Sequence, residues 1–340
     1  MKMLRLDSKV FAVSPQERAG LRDLGFTEID EINGNTPQEI ICHGKDADMV
    51  MVTSNYLQKE VIESFSKCRA IIRRGTGCDK IDLKAATEKG IMVVNLPAFA
   101  SGDVADHAIL LMLALARHLP FLETAIERRE WVGISSIVHP TRIAGKTLGI
   151  IGFGHIGKAI AHRARAFDMK VIDYHRHVNP EIERACEVTP VSLETLLQES
   201  DFVIISCPQT AESVNMLGEK EFSSMKPTAY LVNVGRGAIC DEKALAEAVQ
   251  DGKIAGAGID VFQHLNMFAP AESQGPCYYD GIQNIITTPH FAAITNESTQ
   301  ESLDRSLKQI KLILEGYFPT ACANQEVFEK LQGQYRIWTE

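Results

Sequence analysis

Three runs in the second half of the chain end in side chains that can carry charge or move a proton. Leu231-Val232-Asn233-Val234-Gly235-Arg236-Gly237 brings a guanidinium, Gly258-Ile259-Asp260-Val261-Phe262 a carboxylate, and Thr287-Thr288-Pro289-His290 an imidazole. Each follows a strand-like run, so the order reads strand, Arg, strand, Asp, strand, His. Upstream, Gly152-Phe153-Gly154-His155-Ile156-Gly157 is a GxGxxG that follows TLGII and opens the helical text KAIAHRARAF. Its first glycine suits a tight turn, its second lets the main chain approach a pyrophosphate, and its third lets the helix pack closely on its strand. The helix N-terminus then offers N–H groups to phosphate oxygens. Alone the hexapeptide is weak; seated between strand and helix, it predicts a dinucleotide site.

The end of the next strand decides which dinucleotide. A carboxylate there would bond the hydroxyls of an adenosine ribose and repel a 2′-phosphate. The strand runs Val171-Ile172-Asp173-Tyr174-His175-Arg176-His177. About 18 to 20 positions beyond Gly157 lie His175 to His177 rather than Asp173. Arg176, flanked by imidazoles, suits a 2′-phosphate because guanidinium makes paired, charge-assisted hydrogen bonds to its oxygens. NADP(H) is therefore expected in preference to NAD(H). NAD(H) stays possible, with Asp173 turned to the ribose and Arg176 to solvent.

Positioning these groups takes a scaffold of alternating strands and helices. KVFAVS, DMVMVTS, AIIRRG and IMVVNLP are β-branched or apolar runs, separated by helical text such as YLQKEVIESF, and this rhythm predicts βαβ units with a parallel sheet. A second series runs from TLGIIGFGHIG through KVIDY, DFVIISC, AYLVNV and IAGAGID to NIITTPH. Between them lies a long helix, apolar at Val104, Ala108, Leu111, Met112 and Leu115 and again at Ile109, Leu110 and Leu113, which predicts burial on all sides. A C-terminal helix over 296–315, stopped by Gly316, carries Leu303, Leu307, Ile310 and Leu314 on one stripe and is expected to return to the first sheet. With 340 residues, 45% of them apolar, the chain can bury two cores, which excludes a disordered or fibrous protein. The net charge of -9 gives no general attraction to nucleic acid. No signal core or run of about 18 apolar residues is visible, so a cytoplasmic protein without a membrane partner is expected. The eight scattered cysteines, without a CxxC pair, are expected as reduced thiols and not as a metal site.

Taken with RRGTGCDKIDLKAATEKGI and DVADHAILLMLALAR, these motifs resemble the D-isomer-specific 2-hydroxyacid dehydrogenases over almost the whole chain. The resemblance implies an α/β fold of two doubly wound parallel-sheet domains, a Rossmann cofactor domain inserted into a flavodoxin-like substrate domain. Residues 1–102 and 295–340 would form the discontinuous substrate-binding domain, residues 103–294 the NAD(P)-binding domain, with the active site in the cleft between. By similarity, Arg236 holds the substrate carboxylate and polarises its carbonyl. His290 protonates the developing alkoxide in reduction and takes the proton back in oxidation. The amides of Thr76 and Gly77 match a carboxylate-binding loop. Asp260 matches a residue near the nicotinamide carboxamide, and Cys207, Pro208, Asn233 and Val234 match cofactor-lining positions. Asp260 could instead form a strand-end turn, and Cys207 be a core thiol. The implied activity is hydride transfer between NADP(H) or NAD(H) and a small 2-oxo or 2-hydroxy acid of D configuration, glyoxylate- or hydroxypyruvate-like. The stretch 120–142, with Trp131, resembles a dimerisation arm and implies a homodimer. The alternative is a nucleotide-sensing binding protein like the C-terminal-binding co-repressors.

Two positions depart from the family pattern. Five residues beyond Asp260, where an acid usually bonds the catalytic His, stands Leu265; Asn266 or Glu272 from a shifted loop could substitute, or His290 could work unaided. Without a carboxylate, His290 lacks an upward push on its pKa, and reduction should fall off at lower pH. Where an Asn often helps bind substrate, the chain has Ala100-Ser101; Ser101 could offer a hydroxyl to substrate or cap the helix expected to start near Asp103.

Overall fold

The computed structural model describes residues 1–131, 133, 139–176, 178–268 and 274–338. Its contacts divide the chain into two compact units, Met1–Phe99 with Thr295–Glu340, and Ala100–Ile294. The expected break at 102/103 would have cut the first turn of the helix Ser101–Ala116; the division falls ahead of that helix and keeps it whole.

In the first unit, strands β1 (Lys2–Arg5), β2 (Glu28–Glu31), β3 (Met49–Val52), β4 (Ala70–Arg73) and β5 (Met92–Val94) form one sheet in the order β2-β1-β3-β4-β5. All pairs are parallel, and the order is that of flavodoxin-like folds. A parallel sheet covered on both faces needs strands apolar at every position. β3 and β5 obey this throughout and β1 and β4 at their central positions, with the two faces alternating, whereas the edge strand β2 reads EIDE. Leu4, Val50, Ile71 and Val93 join Ile62, Phe65 and Ala86 on one face. Met3, Met49, Met51, Ile72 and Met92 join Leu21, Phe26, Ile310 and Ile313 on the other. The last two belong to the helix Asn296–Leu314, so the C-terminal helix does pack on this sheet. That helix starts with Thr295 Oγ1 accepting from Ser298 N and is followed by Gly316 at φ +79°.

At the C-terminal end of β1 lies Asp7, almost fully buried and at φ +62°. Its carboxylate accepts from Thr53 N (2.7 Å), Ser54 N (3.0 Å), Ser54 Oγ (2.6 Å) and Asn55 Nδ2 (2.9 Å), all just past β3. Beside it, Glu17 accepts from Arg5 Nε at 2.7 Å and Arg74 Nη1 at 2.9 Å in a buried network.

In the second unit, β6 (Thr147–Ile151), β7 (Lys170–Tyr174), β8 (Thr189–Pro190), β9 (Phe202–Ile205), β10 (Tyr230–Asn233), β11 (Gly256–Ile259) and β12 (Ile285–Thr287) lie in the order β12-β11-β10-β9-β6-β7-β8. Every pair is parallel. This is the doubly wound order of a dinucleotide-binding sheet with one strand added, and its direction of winding reverses between β6 and β9. The helix Ser101–Ala116 covers one face, with Leu111 so close to Gly258 that a Cβ there would lie 3.1 Å from it. Burial on all sides was expected for this helix and is not found: Leu110 is 55% exposed. A bend of 57° leads into the helix Leu119–Arg128, and among the described residues no single helix is long and apolar enough to cross a membrane.

Candidate active site

The GxGxxG turn joins β6 to the helix His155–Ala166, and its glycines have separable reasons. Gly152 sits at φ +97°, and a Cβ there would lie 2.6 Å from Cys207 N, so the turn is both left-handed and pressed on the end of β9. A Cβ on Gly157 would overlap Gly152 O, which fixes the helix close to its strand. Around Gly154 a Cβ would meet nothing within 4 Å. Gly154 caps the helix without a side-chain hydrogen bond, so its first turn faces open space that suits a pyrophosphate.

That space opens into a cavity of about 770 Å³. Of the expected cofactor residues, Gly152, Phe153, Gly154, His175, Arg176, Cys207 and Pro208 line it. His155 is exposed on the first helical turn, Ile156 half-buried and Gly157 buried against the sheet. Sequence reasoning missed Lys158, Glu183, Thr210, Glu212 and Ser213, which are among the other residues of the wall. Size, a glycine cradle and cationic groups fit a dinucleotide.

At the end of β7, Asp173 is fully buried and is not on the cavity wall. Its Oδ2 meets His175 Nδ1 at 2.5 Å, while His175 Nε2 meets Glu183 Oε1 at 3.1 Å. Glu183 Oε1 also accepts from Asn179 N at 3.1 Å, closing the loop after the strand. Burial pushes the Asp173 carboxyl up, against the opposing pull of His175. With both ring nitrogens facing carboxylates, His175 braces the loop, and Arg176 and Lys158 bring the cations to the cavity wall.

The chemical groups converge by register. Asn233, Ile259 and Thr287 pair in one row across β10, β11 and β12, and Arg236 and His290 each stand three residues past that row. They follow the two strands that flank β11, at the same edge of the sheet. Asp260, just past β11 and 1% exposed, lies between them. Its carboxylate accepts from Thr288 Oγ1 (2.6 Å), Phe291 N (2.8 Å) and Ala292 N (3.1 Å), and Asp260 O accepts from His290 N (2.8 Å). His107 supports this from the long helix, its Nε2 3.0 Å from Thr288 Oγ1. The turn carrying His290 is thus wrapped on one buried carboxylate, which holds His290 at φ +55°.

On the other side, Asn233 is buried and serves the loop: Oδ1 accepts from Gly235 N and Nδ2 donates to Arg236 O, both at 3.0 Å. Val234 is buried as well, and neither residue lines the cavity. Burial pushes the Cys207 thiol up to about 11. Beyond Asp260 the loop closes on itself, Asn266 N donating to Gln274 Oε1 (2.7 Å) and Gln274 Nε2 to Asn266 O (2.8 Å). Asn266 Oδ1 accepts from Phe268 N, and the Phe268 ring lies 5.4 Å from that of His290. Glu272 and His177 lie outside the described residues.

In the first unit, Thr76 and Gly77 follow β4 on a loop pinned by Leu96 N to Gly75 O, Thr76 Oγ1 to Leu96 O (both 3.0 Å) and Asn95 Nδ2 to Thr76 O (2.7 Å). Ser101 opens its helix as the first residue, two positions ahead of the expected start. The cap is Ala100, without a side-chain bond, so the proposed capping role of Ser101 is not found.

The family model described as "D-isomer specific 2-hydroxyacid dehydrogenase, NAD binding domain" matches residues 109–292. The chain belongs to the D-isomer-specific 2-hydroxyacid dehydrogenase family. A glyoxylate reductase of Thermococcus litoralis is 37% identical over 290 residues, 83% of this chain and 84% of its own. A D-3-phosphoglycerate dehydrogenase of Methanocaldococcus jannaschii is 37% identical over 291 residues, 85% of this chain and 54% of its own. Among solved structures, the NADPH-dependent glyoxylate/hydroxypyruvate reductase of Sinorhizobium meliloti, in complex with NADP and malonate, superposes with a TM-score of 0.83 at 26% identity, covering 100% of this chain and 99% of its own. This family member is therefore an oxidoreductase of the D-2-hydroxyacid dehydrogenase type, and its second unit is the nicotinamide-dinucleotide-binding Rossmann domain.

Proposed function

We propose that the protein is an NADPH-preferring reductase of small 2-oxo acids, with glyoxylate and hydroxypyruvate as the first substrates to test. The observation that carries the cofactor choice is Arg176, a guanidinium on the cavity wall at the end of β7, beside an Asp173 that is buried and engaged by His175. A 2′-phosphate finds a charged donor there, and the strand-end carboxylate that would read a ribose diol is turned inward. The glyoxylate reductases among the relatives and the NADP-bound structure of the Sinorhizobium meliloti enzyme support the same reading.

The bound reduced nicotinamide supplies a hydride. Arg236 binds the substrate carboxylate through its fixed fork and draws charge toward the carbonyl oxygen. His290 gives that oxygen a proton, so a 2-oxo acid gains one hydride and one proton and leaves as the 2-hydroxy acid. Asp260 holds the His290 turn and Asn233 the Arg236 loop, each by the bonds described. In the first unit, the proposed substrate-binding domain, Thr76 and Gly77 are assigned to carboxylate recognition.

Michaelis constants for NADPH and NADH, with glyoxylate and hydroxypyruvate, test the proposal. A clear NADH preference overturns the cofactor choice. Arg236→Ala should abolish turnover while NADPH still binds; retained turnover overturns its assigned role. We also propose a homodimer, supported by exposed Leu110, Leu119, Ile126 and Trp131 on and after the two bent helices. Light scattering at the mass of one chain overturns it.

A further inference from the structure

Arg176 has side-chain partners of its own at the cavity wall. Its Nη2 donates to Glu212 Oε2 at 2.6 Å and to Thr210 Oγ1 at 3.1 Å. All three residues line the cavity. Glu212 is kept at this place by the turn that follows β9. Thr210 N donates to Ser213 Oγ at 2.7 Å, Ser213 N to Thr210 Oγ1 at 3.3 Å, and Ser213 Oγ to Pro208 O at 3.0 Å. The nearby acids, Asp173 and Glu183, face opposite nitrogens of His175.

We propose that Glu212 is a specificity-determining residue of the dinucleotide site, a latch that occupies the Arg176 guanidinium and competes for it with the cofactor's 2′-phosphate. The inference rests on the NADPH reading above. A carboxylate and a phosphate present the same kind of anionic acceptor to a guanidinium fork, so one replaces the other. NADH, with a hydroxyl at that position, has no charge with which to displace Glu212. The pair is exposed, with side chains 51% and 70% accessible, and so is weak enough to yield to a doubly charged group. The Arg176 guanidinium holds the Glu212 carboxyl below the usual carboxylate range, so the latch is ionised near neutrality. Glu212 therefore narrows the preference for NADPH over NADH and keeps Arg176 beside Thr210, at the cavity wall.

The test is titration of NADPH and of NADH by nicotinamide fluorescence at low salt, without substrate, on the full chain. The variants are Glu212→Gln, Arg176→Ala, their double variant, and Glu194→Gln, which removes an exposed carboxylate on a helix that does not line the cavity. Glu212→Gln is expected to tighten NADPH about two- to fivefold, the range of exposed ion pairs, and to leave NADH unchanged. In the Arg176→Ala background that gain should vanish, and Glu194→Gln should change neither affinity. If Arg176→Ala weakens NADPH but Glu212→Gln does not tighten it, the latch is overturned and the NADPH reading stands. A gain that persists without Arg176, or that Glu194→Gln reproduces, also overturns the latch. An NADPH-to-NADH ratio untouched by Arg176→Ala overturns both.

Discussion

Replacing Asp260 with Asn tests whether one buried carboxylate holds the proton-transfer turn. The carboxylate accepts three hydrogen bonds, from Thr288 Oγ1, Phe291 N and Ala292 N, on two oxygens. An amide that keeps its oxygen toward Thr288 and Phe291 turns its NH2 toward Ala292 N, placing donor against donor in a buried site. Each bond to a charged group is worth about 1.5–3 kcal/mol, and a buried unpaired donor costs about 1–3 kcal/mol. Losing one bond and weakening two therefore destabilises the second unit by roughly 2–5 kcal/mol. For a unit of this size that lowers the melting temperature by roughly 5–15 °C. The left-handed backbone of His290, itself costing about 1–2 kcal/mol, loses its clamp and relaxes. A shift of about 1 Å in a catalytic group can reduce turnover about a hundredfold. Differential scanning calorimetry and steady-state glyoxylate reduction measure the two effects. A variant that melts within a degree or so of the parent, with turnover within about twofold, would refute the reasoning.

Three further outcomes are expected. Gly237→Ala places a methyl into the Phe262–Gln263 peptide, so it should lower the melting temperature and turnover together, through the neighbouring Arg236; parental values for both would count against that packing. Cys207, with its thiol pushed up to about 11 by burial, should be alkylated at pH 8 far more slowly than exposed Cys42, since only about one thiol in a thousand is ionised; mass spectrometry finding Cys207 labelled first would contradict this. Asn266→Ala, whose side-chain oxygen already accepts from Phe268 N, should leave the upper pH limb of reduction where it is; a displaced limb would count against that assignment.

The inner strands were legible because parallel strands covered on both faces must be apolar, and MVMV or FVII reads so without help; the expected strand KVFAVS is instead turn and loop, and β1 (KMLR) and β2 (EIDE) escaped because charged residues mask their few apolar positions. The level of Arg236 and His290 follows once the strands are known, since register is all that is needed. What did not show in the text is partnership. Glu183 meets His175 because the short helix Pro180–Cys186 follows the loop after β7, and Glu212 meets Arg176 because the segments after β9 and β7 reach each other past the end of β6, which lies between those strands. Asn233 looked like a lining residue and is buried beneath a loop, a distinction that side-chain direction makes and spacing cannot. Leu110 was misjudged because an apolar helix face reads the same whether it meets a core or solvent.

Both sheets reverse their winding at one place, and in folds of this kind that crevice is where a ligand's anionic group settles. In the second sheet a glycine leaves the place vacant. In the first, the amides beyond β3 are already saturated by Asp7, a plug supplied by the protein itself. The two scaffolds thus diverge at matching places, one ending in a glycine turn that faces open space and the other in a carboxylate that the chain supplies to its own backbone donors.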